Sequence, residues 1–342
     1  MAPRRSTDAE LAAFLAHRPS WTIEAGKLRR TFRLGSYGAA IELIEACRVT
    51  IDRLDHHPDW TNRYGVVDVA LSTHAIEAIS HLDLELAETM ERIASEPRVI
   101  AVDWSGRVQG SEETIWIAEA RGESLVRLEP GRTREQVTEW LLAQLGVGPP
   151  LIVGLDFAFS LPAWFARAHG CATGPEVWQL AARLGERWLS TCPPPFWGHA
   201  GTTKPTDVAT RRRADAVGAK SPFQIAGAGA VGTGSIRGMP HLARLRRGGF
   251  AVWPFDRPRL PVIVEIYPRV HTGPVVKSRA AARAAAVEAL PLNEAHRRLA
   301  IGSEDAFDAA LSALAMHRRL DELLDLPVRS GADIEIEGEI WS

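Results

Sequence analysis

At 342 residues the chain is too long for one ordinary domain, and roughly 150 residues per domain points to two. Hydrophobic residues make up 46% and charged residues 24%, a globular composition that excludes disordered, collagen-like and fibrous chains. Forty basic against 42 acidic residues leave a formal charge of −2, so no global basic field points to nucleic acid and no acidic tail to a solvating arm. Cys47, Cys171 and Cys192 lie far apart with no C-x-x-C pair, which suits a reducing cytosol and offers neither a disulfide framework nor a zinc ribbon. No apolar stretch approaches the ~20 residues of a membrane span, and none follows the charged N-terminus. The expectation is a cytoplasmic protein with no membrane partner.

In chain order, Ser6 and Thr7 can cap a short helix over Asp8–Ala16. Lys27 to Leu34 alternates, with Leu28, Phe32 and Leu34 on one face, and predicts a strand. Ser36 opens a longer helix whose stripe, Ala40, Ile44, Cys47, Ile51 and Leu54, needs a sheet to cover. Tyr64 to Thr73 is rich in β-branched residues and predicts a second strand. Ser80 opens a last helix with Leu82, Leu86, Met90 and Ile93 inward. Pro97 cannot continue that helix, so the first domain is expected over 1–96 and the second over 97–342. The halves differ in charge: 11 Lys+Arg against 15 Asp+Glu gives 11 − 15 = −4 for 1–96, leaving 29 − 27 = +2 for the rest.

The chemistry of the first part sits at the joints. His56 and His57 follow the long helix, His74 ends a strand, and Asp83 lies in the first turn of the last helix. Element ends are where a rigid scaffold presents a site, and histidines move protons near neutral pH. Each has a plainer structural reading. His56-His57 can be a helix C-terminal pair, and Asp83 the acid of a Ser80-x-x-Asp83 capping arrangement.

The residues taken together carry more. Asp55-His56-His57-Pro58-Asp59-Trp60, Tyr64, Val67, Thr73-His74 and Asp83 with Ala87 keep the spacings of the pterin-4a-carbinolamine dehydratase signature, and the first part resembles that family over about residues 9–95. Ala78 stands where the family has Gly, and Asp52 replaces a Glu. The resemblance implies an antiparallel sheet covered by helices on one face, an α+β domain. It implies loss of water from a 4a-hydroxytetrahydropterin to give the quinonoid dihydropterin, with no metal or redox cofactor. His56, His57 and His74 would be the catalytic set, with His57 and His74 handling protons. His56 and Asp83 would bind and orient the pterin, Asp52 would hold a histidine's tautomer, and Asp52, Asp83 and Trp60 form the expected substrate-binding set. Family members associate through their sheets and helices, so a homo-oligomer is expected.

In the second part, Val99–Asp103, Leu151–Asp156 and Pro261–Glu265 are apolar strands ending in acids. Ile115–Ala120 and Ser124–Leu128 predict a meander, and Thr133–Leu145 a helix. Asp305 and Asp308 lie one turn apart at the start of an apolar helix. Asp305 and Asp308 could simply complement the helix N-terminus, and Asp103 could start a turn. The order of elements, with Val-Asp-Trp-Ser-Gly, Glu-Ile-Tyr-Pro-Arg and Asp-Ala-Phe-Asp-Ala stretches, is similar to an uncharacterised predicted-nuclease family of ribonuclease H-like fold (DUF429-like) over about 98–342. That resemblance implies an α/β domain, a mixed sheet with flanking helices. It also implies Mg2+ held by Asp103, Asp156, Glu265, Asp305 and Asp308, acting on a nucleic-acid partner. Arg211 to Arg213 and Arg244 to Arg247 could meet phosphates or could be solvated helix faces.

Gly227-Ala-Gly229-Ala-Val-Gly232 matches the G-x-G-x-x-G dinucleotide fingerprint, but Gly234, Gly238 and Pro240 spoil the helix that should follow. A loop over the acids is expected there, followed by a short helix from Pro240 to Arg247. Two functional classes therefore stand: a metal-independent pterin lyase, and a metal-dependent nuclease in which the first domain is a binding or dimerisation module. A scaffold with neither site active is the third.

Overall fold

The computed structural model describes residues 3–213, 215 and 218–342. The chain divides into two compact units, 1–97 with 120–126 and 146–149, and 98–119 with 127–145 and 150–342.

In the first unit, β1 (Thr22–Glu24), β2 (Lys27–Arg33), β3 (Asp59–Arg63) and β4 (Val66–Leu71) form an antiparallel sheet in the order β1-β2-β4-β3. β2 buries Leu28 and Phe32 and exposes Arg29, Thr31 and Arg33, following its alternation. The second strand begins at Val66 rather than Tyr64, and β3 comes before it. β3 has no apolar alternation to announce it. It is an edge strand, zipped onto β4 from Asp59 opposite Ala70 to Arg63 opposite Val66.

Among the described residues, three α-helices complete the unit. Asp8–His17 starts on a capping box, in which Thr7 accepts from Glu10 N and the Glu10 carboxylate accepts from Thr7 N. Tyr37–Leu54 is capped by Ser36, and His81–Ser95 by a Ser80–Asp83 box. The core packs Leu28, Phe32, Val67 and Leu71 of the sheet with Leu43, Cys47, Leu86, Met90 and Ile93 of the two longer helices. Each such side chain contributes about 1.5–3 kcal/mol by leaving water.

A six-stranded mixed sheet in the order β7-β6-β5-β8-β10-β9 follows, all of it in the second unit except residues 120–126 at the ends of β6 and β7. Its strands are β5 (Arg98–Asp103), β6 (Trp116–Arg121), β7 (Ser124–Glu129), β8 (Leu151–Leu155), β9 (Ala251–Val252) and β10 (Val262–Glu265). β5 with β8, β8 with β10 and β10 with β9 run parallel. Their continuous apolar runs suit strands buried on both faces. The longer helices of the unit include Gly174–Thr191, Gly232–Gly248 and Glu304–Arg318.

The helix Gly232–Gly248 corrects the expected loop. It runs through Gly234, Gly238 and Pro240 without a break. An interior proline costs about 3 kcal/mol. Against that, the helix buries Ile236, Met239, Leu242 and Leu245, worth about 1.5–3 kcal/mol each. Gly238 is what lets it approach, because a Cβ there would lie 2.6 Å from the Phe157 ring. Among the described residues no strand leads into Gly227–Gly232, so the dinucleotide context is still missing. Among the described residues, no helix is long and apolar enough to cross a membrane.

Candidate active site

The helix Tyr37–Leu54 ends on Asp55, which takes a left-handed conformation at φ 47°. Asp is one of the few side chains that tolerates this region. The turn sends His56 inward, where it is buried, and leaves His57 exposed. His56 Nε2 lies 2.7 Å from Asp83 Oδ1. Asp83 Oδ2 accepts from Thr73 Oγ1 at 2.8 Å and from Ser80 N at 2.7 Å. Burial pushes the Asp83 carboxyl up, but the hydrogen bonds from His56, Ser80 and Thr73 outweigh it and hold it below the ordinary carboxylate value. Asp83 is therefore an anion at neutral pH.

His74 does not end a strand; it opens a short 3-10 turn, His74–Ile76, and is exposed. Thr73 N donates to Ala78 O at 2.9 Å and closes that turn. The left-handed residue in it is Glu77, at φ 48°, so Ala78 occupies an ordinary conformation despite replacing a glycine. His74 stands near enough to Asp59 to help hold that carboxyl down, after its larger partner Lys27.

Two expected roles need correction. Asp52 holds no histidine: it is exposed and pairs with Arg48 at 3.3 Å, one turn back on its own helix. Asp83 is 0% exposed and its hydrogen bonds are internal, so it is in no position to touch a substrate. Trp60 is half-buried and packs against the core of the unit. Thr73 and Ser80 meet at Asp83, a pairing invisible in the sequence, where each belongs to a separate motif, the Thr-His and the helix cap.

In the second unit, Asp103, Asp156, Asp305 and Asp308 line one cavity of about 510 Å3. The sheet explains the first two. Val102 is level with Leu155 across parallel strands, so Asp103 and Asp156 emerge together at the carboxyl ends, where α/β sheets bind ligands. Asp305 and Asp308 come from the first turns of Glu304–Arg318. Burial first, then repulsion from Asp156, Asp308 and Asp305, pushes Asp103 well up. Asp156 is raised by burial and then by Asp308. Lys277 forms an ion pair with Asp308 in the same cavity. Nothing in the sequence marked this lysine.

Glu265 lines the cavity but stands apart. It is level with Leu155, one residue short of Asp156. Arg212 holds its carboxylate, with Phe159 N donating to Oε2 at 2.8 Å. Arg212, a candidate for phosphate contact by sequence, is a buried cation paired with Glu265 and Asp215. Arg244 and Arg246 pair with Glu139 and Asp256.

The aspartates supply only oxygen donors, and Asp308 Oδ1 is buried without a hydrogen-bond partner; this chemistry suits a hard divalent cation. In the present arrangement, no group of three or more His, Cys, Asp or Glu among the described residues could hold one.

The profile of the family described as pterin 4 alpha carbinolamine dehydratase matches residues 4–93, the stretch that carries the His56–Asp83 pair. Over 96 residues the chain is 33% identical to a protein of Rhizobium meliloti named "Putative pterin-4-alpha-carbinolamine dehydratase", covering 28% of this chain and 92% of that one. The chain belongs to the pterin carbinolamine dehydratase family. A second family member, of the same name and from Chloroflexus aurantiacus, is 37% identical over 89 residues, covering 26% of this chain and 96% of its own. A solved structure titled as a transcriptional coactivator/pterin dehydratase from Brucella melitensis is 31% identical, with 27% of this chain and all of that one covered, at a TM-score of 0.26. Membership rests on the first unit alone; the dehydratase match stops short of the second.

Proposed function

We propose that the first unit dehydrates a 4a-hydroxytetrahydropterin to the quinonoid dihydropterin. The observation that carries this reading is the pair of neighbouring histidines split by the left-handed Asp55, His56 locked to Asp83 and His57 free in solvent, with exposed His74 on a separate turn. In the reaction the C4a–O bond breaks, the hydroxyl leaves as water after gaining a proton, and the proton on N5 is lost. The N5 electrons form the C4a=N5 bond. One imidazole can give the proton and another take it, which is acid–base work that needs no redox partner. His57 and His74 are the groups placed to meet a solute, and His56 orients.

The test is dehydration of a synthetic carbinolamine by the full chain, with and without EDTA. Turnover should survive the chelator and fall by about 100-fold or more in His57→Ala or His74→Ala. Unchanged rates in both variants would defeat the assignment.

A second reading concerns the second unit and rests on the four aspartates facing one cavity. It is a ribonuclease H-like, DUF429-like domain acting on phosphodiesters. Asp103, Asp156, Asp305 and Asp308 would have to draw closer together before they could hold Mg2+, which would supply positive charge at a phosphoryl oxygen when bound. Glu265 is left out of that set because Arg212 holds it. Hydrolysis that disappears with EDTA and in Asp103→Asn would support this reading; nuclease activity insensitive to both would dismiss it.

A further inference from the structure

The hydrogen bonds around Asp83 form a directed chain. A carboxylate only accepts, so Thr73 Oγ1, 2.8 Å from Oδ2, spends its one proton on Asp83. Ser80 Oγ lies 2.6 Å from Thr73 Oγ1 and must therefore donate to it, while itself accepting from Leu82 N at 3.1 Å. Ser80 N donates to Oδ2 at 2.7 Å. On the other oxygen, His56 Nε2 at 2.7 Å has to carry a proton. That leaves the neutral ring with its lone pair on Nδ1. Thr73 is also the residue before His74, and its backbone N–H closes the turn on Ala78 O. One buried carboxylate thus joins the ring of one histidine to the segment that carries another.

We infer that Asp83 is a positioning residue for the proposed dehydration and makes no contact with the pterin. It fixes His56 as the Nε2–H tautomer and, through Thr73 and Ser80, sets the turn that presents His74. The inference rests on the dehydratase reading for its effect on turnover. Its structural half, the tautomer and the turn, stands without it.

Two measurements on the full chain decide it. Long-range 1H–15N spectra at alkaline pH should show His56 of the unsubstituted protein protonated on Nε2, and Asp83→Asn should lose or invert that pattern. Thr73→Val should speed amide exchange over residues 73–78 and lower kcat on the order of 10- to 100-fold with KM little changed, the scale set by misplacing a reacting group. Thr73→Ser keeps the hydroxyl and should restore both. A His56 found protonated on Nδ1 in the unsubstituted protein would overturn the inference, and this needs no variant to fold. So would a Thr73→Val protein indistinguishable from Thr73→Ser. Absent turnover with the tautomer and exchange patterns intact would remove the dehydratase reading and leave the Asp83 anchor in place.

Discussion

Arg212 clasps the carboxylate of Glu265 across 53 residues of chain, and each side chain is 2% exposed. Asp215 bonds the same guanidinium, and Arg212 Nη1 also donates to Glu337 O at 3.0 Å. Breaking a buried pair on one side strands the other charge. Arg212→Ala should therefore cost about 3–5 kcal/mol in urea unfolding of the second unit. Arg212→Ala together with Glu265→Ala should cost less than the sum of the two single changes. Additive losses would mean that the pair is not coupled.

Asp83 makes the first unit sensitive to acid. Its folded carboxyl lies below the ordinary value, so the native state binds fewer protons than the unfolded chain as pH falls from about 4. The stabilisation is complete above that range and is lost as pH drops through the folded value. Asp83→Asn should flatten the acid limb of stability against pH and lower stability at neutral pH by roughly 2–4 kcal/mol. Thermal unfolding followed from pH 3 to 7 reads both.

The aspartate cavity has the opposite sign. Asp103, Asp305 and Asp308 are raised, and Asp156 is raised to about 8. Between the ordinary carboxyl value and these, the folded protein holds protons that the unfolded chain has released, so stability falls as pH rises. Asp156→Asn should raise the stability of the second unit at pH 8 by on the order of 2–3 kcal/mol and reduce its pH slope. If the second reading holds, millimolar Mg2+ should raise the Tm of the unsubstituted protein at pH 8 more than that of Asp156→Asn.

Two glycines that meet at the cavity should answer differently to the same change. A Cβ at Gly106 would stand 2.5 Å from Gly234 N and 2.6 Å from Thr233 C, both backbone atoms that cannot move aside cheaply. A Cβ at Gly234 would find its nearest neighbour at 3.7 Å, an ordinary contact. Gly106→Ala should destabilise by about 1–3 kcal/mol. Gly234→Ala, inside a helix, should be neutral or stabilise by up to about 1 kcal/mol. Denaturant midpoints compare them directly.

The first unit is legible because its signals are local. The alternation of β2, the Ser36 and Ser80 caps and the helix stripes each lie within a short stretch of chain. β3 escapes because an edge strand with polar side chains takes its order from β4 across the hairpin. The helix Gly232–Gly248 escapes for the reverse reason: its residues argue against a helix, and the apolar face it buries decides otherwise. The aspartates at the strand ends were legible as a set, but the level each one reaches depends on register. A one-residue offset, invisible without the strand pairing, separates Glu265 from Asp156. Lys277 lies in an unpatterned stretch and meets Asp308 only through the fold.

The left-handed turn at Asp55 gives two identical neighbours different owners. His56 answers to the interior and is out of reach of reagents in solution, while His57, one peptide further, is open to any solute that arrives. A histidine-directed acylating reagent applied to the folded protein would therefore label His57 quickly and His56 only when the unit opens, so the pair reports accessible chemistry and local unfolding from adjacent positions on one peptide fragment.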